Sequence, residues 1–156
     1  MRLLIIGGSG HVGGLVLPHL AAQHEVCVYD RKPPTVDVPY IQGDVADFTA
    51  LSSAMLGRDA LIFMAMGPAE NWEDPAVPGL HFDVSPKGLY LALRAARDAG
   101  VRHAVYTSSM SVYAPPLSRP EAAVEQRAAG RIQVVLAHIR AGVVLLLITR
   151  AAGGAG

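Results

Sequence analysis

Leu3-Leu4-Ile5-Ile6-Gly7-Gly8-Ser9-Gly10-His11-Val12-Gly13 carries a run of four apolar residues straight into a glycine loop and on into a segment of helical composition. In a strand-loop-helix passage of this kind, the first glycine serves the tight turn. The second lets the backbone approach a phosphate group, and the third allows helix and strand to pack closely. Free N–H groups at the start of the helix then face the anion. Taken alone, the three glycines also suit a plain strand-to-helix turn, so the next strand has to decide.

That strand, Glu25–Tyr29, runs into Asp30, seventeen residues beyond Gly13, near the place where an acidic side chain meets the ribose of a dinucleotide. Together the two features predict a βαβ unit that binds a dinucleotide. A carboxylate accepts hydrogen bonds from a free 2′-hydroxyl and repels a 2′-phosphate, so Asp30 favours NAD over NADP. Arg31 and Lys32 leave NADP open: they suit a phosphate as well as they suit two solvated charges ahead of Pro33-Pro34.

Working outward, strand-length apolar runs recur at Leu3–Ile6, Glu25–Tyr29, Tyr40–Ile41, Ala60–Ala65 and His103–Thr107. Most of them alternate with helical segments, which predicts an α/β fold: a Rossmann-type, doubly wound parallel sheet in the order 3-2-1-4-5 with a further strand sixth. The first helix is expected over His11–Gln23, apolar at Val12, Leu15, Val16 and Leu20 and disturbed by Pro18. A second is expected over Leu51–Leu56, capped by Asp47 or Thr49 and ended by Gly57. Gly67 to Gly79, with its prolines, Asn71 and Trp72, reads as an irregular loop, and Gly88–Ala99 as a helix stopped by Gly100. One domain over residues 1–150 is expected, followed by a low-complexity, disordered tail at 151–156.

Composition excludes several classes. The charges balance at 13 basic and 13 acidic residues, so no basic face suggests nucleic acid as a partner. The single cysteine, Cys27, rules out an internal disulfide framework, suits a reducing cytoplasm and is expected in a buried strand. No signal-peptide pattern precedes the first strand. The apolar stretch Ile132–Ile148 carries His138 and Arg140 near its middle, which argues against a membrane span.

Beyond these local patterns the chain resembles the extended short-chain dehydrogenase/reductase family, the NAD-dependent epimerases and dehydratases. The family's TGGxGxxG is similar to Ile6-Gly7-Gly8-Ser9-Gly10-His11-Val12-Gly13, and its GDxxD to Gly43-Asp44-Val45-Ala46-Asp47. Met64-Ala65-Met66 resembles the segment after the fourth strand. Ser85-Pro86-Lys87-Gly88 stands where the family has Asn-Val-x-Gly, without the asparagine. Val105-Tyr106-Thr107-Ser108-Ser109-Met110-Ser111-Val112-Tyr113 resembles the strand-five signature, with its serine pair and Val-Tyr.

The resemblance implies cofactor contacts from Gly7, Gly8, Ser9, Gly10, His11, Val12, Gly13, Asp30, Arg31, Asp44, Val45, Ala65, Met66, Thr107 and Ser108. Adenine falls near Asp44-Val45, and Ser109 stands at the catalytic serine or threonine position. No metal site is implied. Met110 and Ser111 replace the Asp-Glu of the family's sugar dehydratases, which argues against that chemistry. The implied function is NAD(P) binding within an oxidoreductase or epimerase that acts on a nucleotide-sugar-like small molecule.

The match fails downstream. The family's Tyr-x-x-x-Lys pair, in which the lysine lowers the tyrosine pKa for proton exchange, has no counterpart: no tyrosine follows Tyr113, and the lysines are Lys32 and Lys87. Pro120–Gly130 suits a short helix without either residue, and Arg131–Arg140 resembles the family's sixth strand. The chain is expected to stop before the family's substrate domain. An altered reading frame after about Arg119 is one explanation, defeated if no frame of the encoding DNA restores the pair. The competing reading is a dinucleotide-binding module without catalysis, a sensor or regulator. A third is a different enzyme on the same fold, with His81 or His103 as acid or base. Family members pair through the Tyr-x-x-x-Lys helix and the helix before it. Gly88–Ala99 supplies half of that surface, so the oligomeric state stays open.

Overall fold

The computed structural model describes residues 1–68, 71, 73–109, 132–134 and 143–149. Trp72, the expected helix Pro120–Gly130 and the tail 151–156 lie outside the described residues.

Strands β1 (Arg2–Ile6), β2 (Glu25–Asp30), β3 (Tyr40–Gln42), β4 (Ala60–Phe63) and β5 (His103–Ser109) form a parallel sheet in the order β3-β2-β1-β4-β5. This is the Rossmann-type order that the glycine loop and the strand spacing predict. Order reverses between β1 and β4, where sequentially distant strands become neighbours and a crevice opens at the carboxyl ends.

Helices cover both faces because successive strand residues point to opposite sides. Leu3, Ile5, Val26, Val28 and Ile62 pack on one face against Leu17 of α1 (His11–Ala21). Leu4, Ile6, Cys27, Tyr29, Leu61 and Phe63 pack on the other against Leu51, Ala54 and Met55 of α2 (Phe48–Met55) and Ala92, Ala95 and Ala96 of α4 (Gly88–Asp98). Near-continuous apolar strands are what burial on both faces requires. Cys27 is a buried strand residue with a free thiol.

Several elements depart from the sequence-based expectation. α1 buries Gly13 and Leu17, while Leu15 is 50% exposed. Leu17 makes the contact with the sheet, and the first turn lies so close to the glycine loop that only a glycine fits at position 13. Pro18 sits on its exposed side. In the presumed loop Gly67 to Gly79, the last residues open α3 (Ala76–Phe82). Pro78 is tolerated there because it falls in the first turn, whose N–H groups have no helical acceptor. A π-turn over Asp83–Lys87, containing Pro86, joins α3 to α4.

The expected sixth strand is also corrected. Ile132–Val134 (β6) is not the neighbour of β5: Val143–Thr149 (β7) takes that seat, antiparallel, and β6 pairs antiparallel on its far side. β6 therefore runs in the direction of β5, one strand further out. The seven-residue β7 pairs along the whole of β5, a longer ladder than three-residue β6 can offer. An antiparallel edge on a parallel sheet is a common arrangement. Among the described residues no helix is long and apolar enough to cross a membrane.

Candidate functional site

The carboxyl ends of β1, β2, β3 and β4 enclose a cleft of about 350 Å³ beneath the first turn of α1. Gly7 begins it. Its φ of +80° is a left-handed conformation that side chains resist, and a Cβ there would run into the Ala65 backbone. A Cβ on Gly13 would run into the Gly8 carbonyl, so Gly13 is what seats the helix on the loop. Gly10 is different. Its φ of −78° suits any residue, and an added Cβ would meet only the Gly7 oxygen, at 3.4 Å. Nothing in the surrounding protein excludes a side chain at position 10, which borders the cleft.

Gly10 is the N-cap of α1 and offers no side-chain hydrogen bond. Among the described residues no acceptor meets the N–H groups of His11, Val12 or Gly13. These three donors line the cleft at the positive end of the helix, an arrangement suited to a phosphate anion.

Asp30 closes the side of the cleft. Its Oδ2 accepts the Ser9 N–H at 3.0 Å, and its Oδ1 accepts the Arg31 N–H at 2.7 Å and the Lys32 N–H at 3.5 Å. The Ser9 hydroxyl donates to the Lys32 carbonyl at 2.6 Å. Glycine loop and β2 end are thus tied together by backbone groups on both sides. Arg31 and Lys32 also line the cleft.

Deeper in, the Tyr29 hydroxyl donates to the Asp44 carbonyl at 2.9 Å. Gly43 lies against the Tyr29 ring where a Cβ would not fit. Burial, helped by Asp47 and Asp44, pushes the Tyr29 phenol up to about 12, so it stays a neutral donor. Asp44 and Val45 complete this wall, and Met64, Ala65, Met66 and Val84 form the opposite one.

The residues singled out from the sequence divide accordingly. Gly7, Gly10, His11, Val12, Gly13, Asp30, Arg31, Asp44, Val45, Ala65 and Met66 line the cleft. Gly8 packs on Val28 and Ile5 behind the loop, and Ser9 holds the loop to Asp30. Thr107 and Ser108 are not among the lining residues, and the Thr107 hydroxyl donates to the Phe63 carbonyl at 3.1 Å. Ser109 ends β5, at the same edge of the sheet as the glycine loop, because Ile6, Phe63 and Tyr106 lie in register. His81 Nδ1 lies 3.1 Å from the Pro68 carbonyl. Tyr29 and Val84 were not singled out. Tyr29 reads as one more apolar strand residue, and Val84 reaches the cleft only through the π-turn.

Comparison with known proteins agrees with this geometry. The profile of the NAD(P)H-binding family matches residues 7–142. The chain belongs to that family. Its Rossmann-type NAD(P)-binding domain is similar to those of short-chain dehydrogenases/reductases and of epimerases and dehydratases of nucleotide sugars. It is 33% identical over 113 residues to an N-acetyl-alpha-D-glucosaminyl-diphospho-ditrans,octacis-undecaprenol 4-epimerase of Escherichia coli O157:H7, covering 72% of this chain and 33% of that protein. A UDP-glucose 4-epimerase of Lactobacillus helveticus is 32% identical, over 77% of this chain and 39% of its own. The chain therefore spans about a third of the length of these curated relatives.

Among solved structures, a short-chain dehydrogenase/reductase superfamily protein from Agrobacterium tumefaciens with bound NAD superposes with a TM-score of 0.67 at 34% identity, covering 78% of this chain and 36% of that one. A UDP-glucose 4-epimerase from Stenotrophomonas maltophila with bound NAD and formylated UDP-arabinopyranose gives 0.68 at 26% identity, covering 77% and 40%. The cleft of this NAD(P)-binding domain fits the cofactor: an open face at Gly10, three donors at a helix start that have no acceptor among the described residues, and a carboxylate at the ribose distance along the chain.

Proposed function

We propose that this domain holds NAD in preference to NADP, within an oxidoreductase or epimerase acting on a nucleotide-sugar-like substrate. The observation that carries the preference is the Asp30 carboxylate, fixed at the rim of the glycine loop by the Ser9 N–H. A carboxylate there accepts the ribose hydroxyls and repels a 2′-phosphate. In this reading Gly10 and the first N–H groups of α1 take the pyrophosphate, and Asp44 and Val45 border adenine. Met64, Ala65 and Met66 border the nicotinamide half, which extends toward Ser109 at the end of β5. Thr107 and Ser108 lie along the same strand. The cofactor supplies hydride transfer to or from a hydroxyl-bearing carbon. The protein supplies orientation and a site for the two charges of the pyrophosphate. The single domain spans residues 1–150, and the free thiol of Cys27 suits a cytoplasmic setting.

A second reading rests on a specific observation, the absence of a Tyr-x-x-x-Lys pair from these 156 residues. In that reading the chain binds the cofactor without turning over a substrate. Titration with NADH and NADPH by fluorescence, followed by assay with nucleotide sugars, tests both. Tighter binding of NADH with turnover supports the first, and tighter binding of NADH without turnover the second. Failure to bind either nucleotide would sink the assignment of the cleft.

A further inference from the structure

The wall formed by Met64, Ala65 and Met66 has few internal ties. The Met64 N–H donates to the Ile6 carbonyl at 2.7 Å, but no backbone hydrogen bond holds Ala65 or Met66 among the described residues. The next anchor is the Gly67 N–H, and its acceptor is a side chain: the Ser85 hydroxyl oxygen, at 3.1 Å. Ser85 lies in the π-turn Asp83–Lys87, where the Gly88 N–H reaches back five residues to Asp83. Pro86 explains the wide turn. It has no N–H for the Phe82 carbonyl, and its ring would press on that carbonyl in a regular helix. The same turn brings Val84 to the cleft and seats Gly88 against Val45, where a Cβ would come within 2.8 Å of Val45 Cγ2.

We propose that Ser85 is a positioning residue for cofactor binding: by accepting the Gly67 N–H it fixes the cleft wall that borders the nicotinamide half. The role rests on the assignment of the cleft to NAD made above. Ser85 stands 18 residues from Gly67 in the chain, so the tie joins two separate elements. Removing the hydroxyl takes the acceptor from the Gly67 N–H and leaves the segment after Met66 held by the packing of Gly67 on the His81 backbone and by the contact of His81 Nδ1 with the Pro68 carbonyl. The adenine wall, built by Tyr29, Gly43 and Asp44, does not depend on it.

The test compares two ligands on the whole chain, NADH by fluorescence and AMP by calorimetry. AMP carries the adenosine half alone. Ser85→Ala is expected to weaken NADH by about 5- to 10-fold, the loss of one hydrogen bond, while AMP binding is unchanged. Ser85→Thr keeps the hydroxyl and is expected to bind both as the parent does. Equal weakening of both ligands, no weakening of either, or a Thr variant no better than Ala overturns the proposal. If the parent chain itself binds neither NADH nor AMP, the assignment of the cleft fails instead, separately from the role of Ser85.

Discussion

The backbone N–H of Ser9 donates to the Asp30 carboxylate at 3.0 Å, across 21 residues of sequence, and so joins the glycine loop to the end of β2. The same carboxylate receives the Arg31 and Lys32 N–H groups. One side chain therefore shapes the loop and, in the proposed function, presents the negative charge to the ribose. Asp30→Ala is expected to weaken NADH by about 10-fold or more while NADPH binding holds or improves, as repulsion of the 2′-phosphate disappears. Fluorescence titration of both nucleotides checks this. Equal losses would show that Asp30 only supports the loop.

Gly10 and Gly13 separate folding from binding. Gly13→Ala drives a Cβ into the Gly8 carbonyl and is expected to cost about 3 kcal/mol or more, since the obstacle is backbone. Gly10→Ala places its Cβ in ordinary contact with Gly7 and is expected to leave the thermal midpoint near that of the parent while abolishing NADH binding. A Gly10→Ala protein that still bound NADH normally would remove the pyrophosphate from this loop.

Tyr29 makes stability sensitive to alkali. Its folded pKa is raised from 10.0 to about 12, chiefly by burial. The unfolded phenol therefore loses its proton first, and the contribution to stability is complete below pH 10 and lost as pH rises toward 12. Tyr29→Phe removes the bond to the Asp44 carbonyl and is expected to cost about 0.5–1.5 kcal/mol at neutral pH. Denaturant unfolding between pH 8 and 12 should show the parent losing more stability than the variant, and parallel curves would contradict the burial argument.

Asp47 caps α2 by accepting the Ala50 N–H at 2.9 Å, where the sequence left Asp47 and Thr49 as alternatives. Asp47→Ala is expected to cost about 1 kcal/mol, and Thr49→Ala much less. Paired denaturation curves distinguish the two.

Much of this protein was legible because its signals are local. The glycine spacing, the apolar runs and the acidic end of β2 each reflect the geometry of one strand or one turn and point to the βαβ unit, while the family rests on the resemblance of further short motifs, Gly43–Asp47 and Val105–Tyr113. The left-handed stops at Gly57 and Gly100, with φ of +70° and +77°, follow from the same short-range rules. Less legible were the buried face of α1, where a close approach favoured Gly13 over Leu15, and the helical start at Ala76, where Pro78 masked a first turn.

Tertiary structure alone decided the rest. Whether β6 or β7 lies against β5 depends on the lengths of competing ladders, which no local pattern records. Gly7, Gly10 and Gly13 look alike in sequence, and only their surroundings show that backbone crowding demands a glycine at positions 7 and 13 and not at position 10. The tie from Ser85 to Gly67 is equally invisible in the chain, because it depends on a proline widening a helix until a hydroxyl meets a backbone N–H from another element. The sequence by itself determined which nucleotide fold forms and where its loop lies. Packing between distant segments determined the shape of the cleft.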